Sequence, residues 1–311
     1  MNYILGVDGG GTKTEVRIAD TSGANVAEAA SGSTSYKSIG INKATENLNS
    51  VVFRAMKKIK SPDDIYFISS CFGFAGNNTK EDEKIYTGIV FNGKLEGRLN
   101  KKKTFICNDT VIGLEAGSRK KNKIIVIAGS GSNCYGVNED GKKVKTTGWD
   151  YVLADEGSGY QTALKALKAV MKAYDGRGEK TLLSRTVLEE LDLKDITDLN
   201  KWAYTRPFSK GRISALSETV CKTAQKGDKI SIDILSGEAE EAVLSVSTVA
   251  NKLGFKNKDF DLVFVGGMFR CKKFFRNLVT SRLEENFPGI NFLPLLADPV
   301  EGAVKIAIER L

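Results

Sequence analysis

Histidine is absent from all 311 residues. That absence excludes serine–histidine and cysteine–histidine nucleophilic pairs, histidine-ligated zinc and a histidine general base. Any chemistry therefore falls to carboxylates, hydroxyls, backbone amides and a bound metal. Cysteine is scarce as well: Cys71, Cys107, Cys134, Cys221 and Cys271 are odd in number and no pair has C-x-x-C spacing. Neither a disulfide framework nor a zinc site is expected, and a reducing cytoplasmic setting fits better. No apolar run approaches the ~20 residues that span a bilayer, so no membrane partner is expected. The apolar stretch after Tyr3 has no basic flank and stops at Asp8, unlike a signal peptide.

What remains is ordinary in amount. The chain is 41% hydrophobic and 27% charged, long enough for two domains. Its net charge of +8 is spread over short clusters at Lys57-Lys58, 101–103, 119–121 and Lys272-Lys273. Such clusters read as solvated surface, and nucleic-acid binding is not expected. A small anionic ligand suits the same mild bias.

Residues 3–7 form a β-type run ending at a glycine-rich stretch, 15–20 alternate as a half-buried strand, and 25–29 read as a third strand after the Ser22-Gly23 turn. The grammar returns about 120 residues later. There 123–128 is an apolar strand, 129–132 a small-residue turn, 134–137 a strand, Asp140-Gly141 a turn and 142–146 a strand. Two strand–glycine loop–strand–turn–strand units predict two domains of related topology. Helical spacing appears over 43–59, 161–174, 230–253, 275–285 and 300–311, with further strands at 65–72, 104–106 and 261–265. The mixture predicts an α/β fold.

The stretch Asp8-Gly9-Gly10-Gly11-Thr12-Lys13-Thr14 is the sharpest signal. Glycines let backbone N–H groups approach phosphate oxygens, and Thr12, Lys13 and Thr14 add hydroxyls and a charge. It is not a P-loop, because Thr12 stands where lysine is required. It is not a dinucleotide fingerprint either, because a strand follows it. Asn108-Asp109 ends an apolar strand, and a carboxylate there could orient a hydroxyl for phosphoryl transfer or simply face solvent in a turn. Ser130, Gly131 and Ser132 would make a second phosphate clamp. Residues 149–160, WDYVLADEGSGY, precede a helix. Asp155, Glu156 and Ser158 could start that helix, or a carboxylate there could accept hydrogen bonds from sugar hydroxyls while Trp149 covers an apolar ring face. Gly266-Gly267 after an apolar strand is by itself a turn, or would let a flat base approach closely.

Together these residues resemble the actin/hexokinase/heat-shock-chaperone superfamily, and within it the N-acetylglucosamine kinase branch of the BadF/BadG/BcrA/BcrD ATPase family. The resemblance is carried by DGGGTKTE at 8–15, ND at 108–109, AGSGSNC at 128–134, GW at 148–149, DEGSGY at 155–160, GG at 266–267 and DPVEGA at 298–303. It implies two ribonuclease-H-like domains, 1–115 plus 298–311 and 116–297, flanking a central cleft. It implies ATP and Mg²⁺ as cofactors, and a sugar phosphorylated at its 6-hydroxyl. By position, Asp8 would orient Mg²⁺ through water, and Gly10, Gly11, Thr12, Lys13 and Thr14 would hold phosphate. Asp109 would be the catalytic base. Ser130, Gly131 and Ser132 would meet phosphate or sugar, and Gly266 and Gly267 the adenosine. Ser35, Tyr36, Asn108, Gly148, Trp149, Asp155 and Ser158 would contact the sugar. Members of that branch typically carry Asn after Ser-Thr where Ser35 stands here. N-acetylglucosamine, N-acetylmuramic acid and glucosamine are therefore all candidate substrates. A homodimer is the expected assembly.

Two other classes compete. An ATPase that activates a partner enzyme, as some members of the same family do, would need clustered cysteines for an iron–sulfur cluster, and the five here lack that spacing. A sugar-responsive regulator of the ROK kind would add a DNA-binding segment or a Cys/His zinc motif, and the sequence shows neither.

Overall fold

The computed structural model describes residues 2–205 and 209–311. The chain divides into two compact units: Met1–Arg119 with Leu295–Leu311, and Lys120–Pro294. In the first unit the strands are β1 (Asn2–Gly9), β2 (Lys13–Ala19), β3 (Asn25–Gly32), β4 (Tyr66–Phe74) and β5 (Thr104–Asn108). They form one sheet in the order β3-β2-β1-β4-β5. The first three strands pair antiparallel, whereas β4 runs parallel to β1 and β5 parallel to β4.

Side chains along β1 alternate between two faces. Leu5 and Val7 join Val16, Ile18 and the apolar stripe Leu48, Val51, Val52 and Ala55 of the helix Ile41–Met56. Ile4 joins Ala303, Val304 and Ala307 of the C-terminal helix Pro299–Ile308. Gly6 shares that second face. A Cβ there would stand 2.7 Å from Val304 Cγ2 and 2.9 Å from the Val300 carbonyl. The missing side chain lets the C-terminal helix lie directly on β1.

The second unit contains β6 (Lys123–Ala128), β7 (Ser132–Val137), β8 (Lys143–Thr146), β9 (Phe260–Val265) and β10 (Ile290–Pro294), ordered β10-β9-β6-β7-β8. Read from β8, this is the order of the first sheet, with three antiparallel strands followed by two parallel ones. The expected repetition of topology is therefore present, and the fold class is α/β. The 25-residue helix Lys229–Leu253 lays Leu235, Ala239, Val246 and Val249 on this sheet. Fully burying a leucine- or valine-sized side chain stabilises by about 1.5–3 kcal/mol, so this stripe fixes the helix in place.

One expectation needs correction. Cys221 and Cys271 form a disulfide, with Cα atoms 6.0 Å apart and a sequence separation of 50. The pairing is tertiary: the helix Leu216–Gln225 and the turn after β9 pack on one core, which local cysteine spacing cannot reveal. The helix predicted over 275–285 is present, with a π-helical turn, Lys272–Arg276, leading into the helix Asn277–Asn286. Among the described residues, no helix is long and apolar enough to cross a membrane.

Candidate active site

In the first unit, the carboxyl ends of three parallel strands line up, with Gly9 beside Phe74 and Phe74 beside Asn108. Ligands of open α/β sheets bind at such ends. The glycine loop joining β1 to β2 is closed by the Gly10 N–H donating to the Lys13 carbonyl, at 2.9 Å. It is bolted to the segment after β3: the Gly10 carbonyl accepts from Ser33 Oγ (3.2 Å) and from the Thr34 N–H (3.3 Å). Buried Thr14 donates its hydroxyl to buried Thr34 at 3.0 Å. Gly11 and Thr12 are exposed at the loop tip, and a Cβ on Gly11 would meet nothing within 4 Å. Lys13 pairs with Glu15 through its side chain.

Asn108 ends β5 and caps the helix Asp109–Gly117, its Oδ1 accepting the Thr110 N–H at 3.0 Å. Asp109 is thereby the first helical residue, at the end where the helix dipole favours a carboxylate. Asp8 feels it. Burial, then the charge of Asp109, then that of Glu15, push the Asp8 carboxyl up to about 7, with Lys13 acting against them. Two crowded carboxylates with hard oxygen donors fit Mg²⁺, which typically takes one or two carboxylates and completes its shell with water and substrate phosphates.

Tyr36 and Asn108 are joined through residues the sequence did not single out. Tyr36 donates its hydroxyl to buried Asp82, whose other oxygen accepts from the Asn78 N–H (3.0 Å) and the Thr79 N–H (2.9 Å). Asn108 Nδ2 in turn donates to Asn78 Oδ1 at 3.2 Å. Burial would raise Asp82, but hydrogen bonds from Lys37, Tyr36, Thr79 and Asn78 outweigh it and hold the carboxyl well below the usual range. Ser35 is buried at the start of this segment.

In the second unit three of the predicted stretches meet. β6 and β9 are parallel neighbours, and a Cβ on Gly266 would lie 2.3 Å from the Ala128 carbonyl oxygen. The Gly159 N–H donates to the Gly129 carbonyl at 2.7 Å, and the Ser132 N–H donates to Asp155 Oδ1 at 3.1 Å. Asp155 is 2% exposed, adopts φ +69°, and holds Lys210 with its other oxygen. Gly131 sits against both: a Cβ there would be 2.8 Å from Asp155 Oδ2 and from Lys210 Nζ. Ser158 is fully buried and caps the helix Gly159–Tyr174 through Gln161.

Ser132 Oγ and Asn133 Oδ1 are buried without a hydrogen-bond partner among the described residues. Orphaned polar atoms on a glycine loop suit an oxygen-rich ligand such as a phosphate. Ser130 and Gly267 are exposed, and a Cβ on Gly267 would meet nothing within 4 Å. Gly148 adopts φ +71° against Asn133. Trp149 stands 53% exposed with Lys145 over its ring.

Sequence reasoning missed Asp82, Lys210 and Glu238. Glu238 had a signal: it interrupts the apolar stripe of Leu235, Ala239 and Ala242 at helical spacing. Asp82 and Lys210 have partners 46 and 55 residues away in sequence.

The BadF/BadG/BcrA/BcrD ATPase family profile matches residues 5–307. An N-acetylmuramic acid/N-acetylglucosamine kinase of Clostridium acetobutylicum is 33% identical over 308 residues, 99% of this chain and 98% of the relative. An N-acetyl-D-glucosamine kinase of Dictyostelium discoideum is 32% identical over 313 residues, 98% of this chain and 97% of the relative. A crystal structure from Chromobacterium violaceum, provisionally named an N-acetylglucosamine kinase, superposes with a TM-score of 0.73 at 20% identity, covering 98% of each chain, and so shares the fold. The chain belongs to the BadF/BadG/BcrA/BcrD ATPase family.

Proposed function

We propose that this protein transfers the γ-phosphoryl group of ATP to an amino sugar, N-acetylglucosamine or a relative such as N-acetylmuramic acid or glucosamine, at the 6-hydroxyl. The observation that carries the proposal is the crowding of Asp8 and Asp109 beside a glycine loop at the carboxyl ends of parallel strands. The two kinase relatives, alike over nearly their whole length, support it.

In this reading Asp109 receives the proton of the sugar hydroxyl and, because such transition states are loose, mainly orients it. Gly10, Gly11, Thr12, Lys13 and Thr14 bind phosphates through backbone N–H groups, the open tip at Gly11 leaving room for close approach. Ser130, Gly131 and Ser132 bind phosphate as well, with Ser132 Oγ ready to donate. Gly266 and Gly267 pass beside the adenosine. Asp8 would hold Mg²⁺ through water, and bound Mg²⁺ would neutralise charge on the phosphate oxygens. Ser35, Tyr36, Asn108, Gly148 and Trp149 are the further residues proposed to contact the sugar. Asp155 meets a sugar hydroxyl with lone pairs left over from Ser132 and Lys210, and Ser158 holds the loop that carries it.

The test is a panel of sugars assayed for ATP consumption with Mg²⁺, with the phosphorylated position read by NMR. Turnover of N-acetylglucosamine or one of the two relatives, with phosphate on the 6-hydroxyl, is expected. No turnover with any sugar of the panel would overturn the proposal.

A further inference from the structure

Glu238 lies in the middle of the helix Lys229–Leu253 and is 0% exposed. One carboxylate oxygen accepts the Gly157 N–H at 2.6 Å, and the other lies 2.6 Å from the ammonium of Lys165. Lys165 belongs to the helix Gly159–Tyr174, which begins as the loop 155–158 ends. The carboxylate therefore ties a loop to the two helices that flank it.

Lys165 is 46% exposed, so its ion pair with the buried carboxylate gains little after solvent screening and does not offset the burial of Glu238. Its use here is better explained by the loop it holds. Asp155 and Gly157 both have left-handed backbones, φ +69° and +80°. For a non-glycine residue that conformation costs about 1–2 kcal/mol and persists only when the surroundings impose it. Gly157 is pressed against the same helix: a Cβ there would stand 3.4 Å from the Ala242 nitrogen and the Glu238 carbonyl. The loop is held at one end by Ser132 on Asp155, at the other by Gly129 on Gly159, and in the middle by Glu238.

We infer that Glu238 is a positioning residue for sugar binding: through the Gly157 N–H it fixes the turn that aims Asp155. The inference rests on the reading of Asp155 as a sugar contact. It predicts an effect on the sugar and not on the nucleotide.

The experiment uses the full-length protein, N-acetylglucosamine and Mg·ATP, with separate KM values for sugar and for ATP and thermal unfolding on the same samples. Glu238→Met removes the acceptor and leaves the Gly157 N–H buried and unpaired. The sugar KM should rise on the order of tenfold to a hundredfold, while the ATP KM stays within about threefold. Glu238→Gln keeps an acceptor oxygen and should recover most of that loss. If Glu238→Met does not fold, Glu238→Asp decides: it keeps the charge for Lys165 but draws the acceptor back from Gly157, and should raise the sugar KM alone. An unchanged sugar KM, or equal rises in both KM values that track lost stability, would overturn the inference. Asp155→Asn separates the two claims. If it leaves the sugar KM unchanged, the reading of Asp155 fails and the inference with it. If it raises the sugar KM while folded Glu238 variants do not, only the positioning role of Glu238 fails.

Discussion

Asp109, the first residue of the helix that follows β5, is the strongest charge acting on Asp8 at the end of β1. Only burial does more to push the Asp8 carboxyl up to about 7. Strand register brings the two ends together, and like-charge crowding of this kind marks functional sites more often than stable surfaces.

Asp8 therefore destabilises the metal-free protein near neutral pH. Its folded pKa lies above its unfolded value of 3.8, so the folded state binds the extra proton. Stability contributed by protonated Asp8 is present at low pH and is lost as pH rises from about 4 through 7. Asp8→Asn should raise Tm by roughly 3–6 °C at pH 7 in metal-free buffer, and the gap should narrow towards pH 4. The same variant should lose kinase activity on the order of 10²–10³-fold. Scanning calorimetry at three pH values checks the first part, and a Tm below that of the parent at pH 7 would refute it.

Gly11 and Gly266 separate two reasons for glycine. A Cβ on Gly11 meets nothing, so Gly11→Ala should unfold within about 0.5 kcal/mol of the parent while the ATP KM rises. Gly266 has φ +110° and sits on the Ala128 carbonyl, so Gly266→Ala should cost about 3 kcal/mol or more. Urea unfolding and ATP kinetics on both variants read the contrast. Equal destabilisation of the two would contradict it.

The Thr14–Thr34 hydrogen bond pins the glycine loop to the segment after β3. Thr14→Val removes the donor from a buried pair and should cost about 1–3 kcal/mol, whereas Thr14→Ser should restore it. Urea midpoints decide between them.

The duplicated strand–glycine loop–strand pattern was legible because alternation in 15–20 and the turn at Ser22-Gly23 are local, and β1–β3 and β6–β8 follow it closely. The helix Lys80–Phe91 was not read, because Asp82 and Tyr86 occupy positions on its buried face and blur the apolar period. The helix Asp109–Gly117 hid behind its own cap: Asn108 ends the strand and starts the helix without an intervening turn. β10 is a half-exposed edge strand with Pro294 at its end, too polar in pattern to stand out. At the site, the glycine loops and Asp109 announced themselves by residue type. Asp82 and Lys210 did not, because each acquires its meaning from a partner 46 or 55 residues away, and Glu238 showed only as an acid in an apolar stripe. The Cys221–Cys271 bridge was invisible for the same reason.

The most direct measurement compares the parent with Asp109→Asn under saturating Mg·ATP and N-acetylglucosamine, following sugar phosphate by mass spectrometry and ATP affinity by calorimetry. Sugar phosphate from the parent, a kcat lowered on the order of 10²–10⁴-fold in the variant and unchanged ATP binding are expected. Full activity in Asp109→Asn would contradict the account.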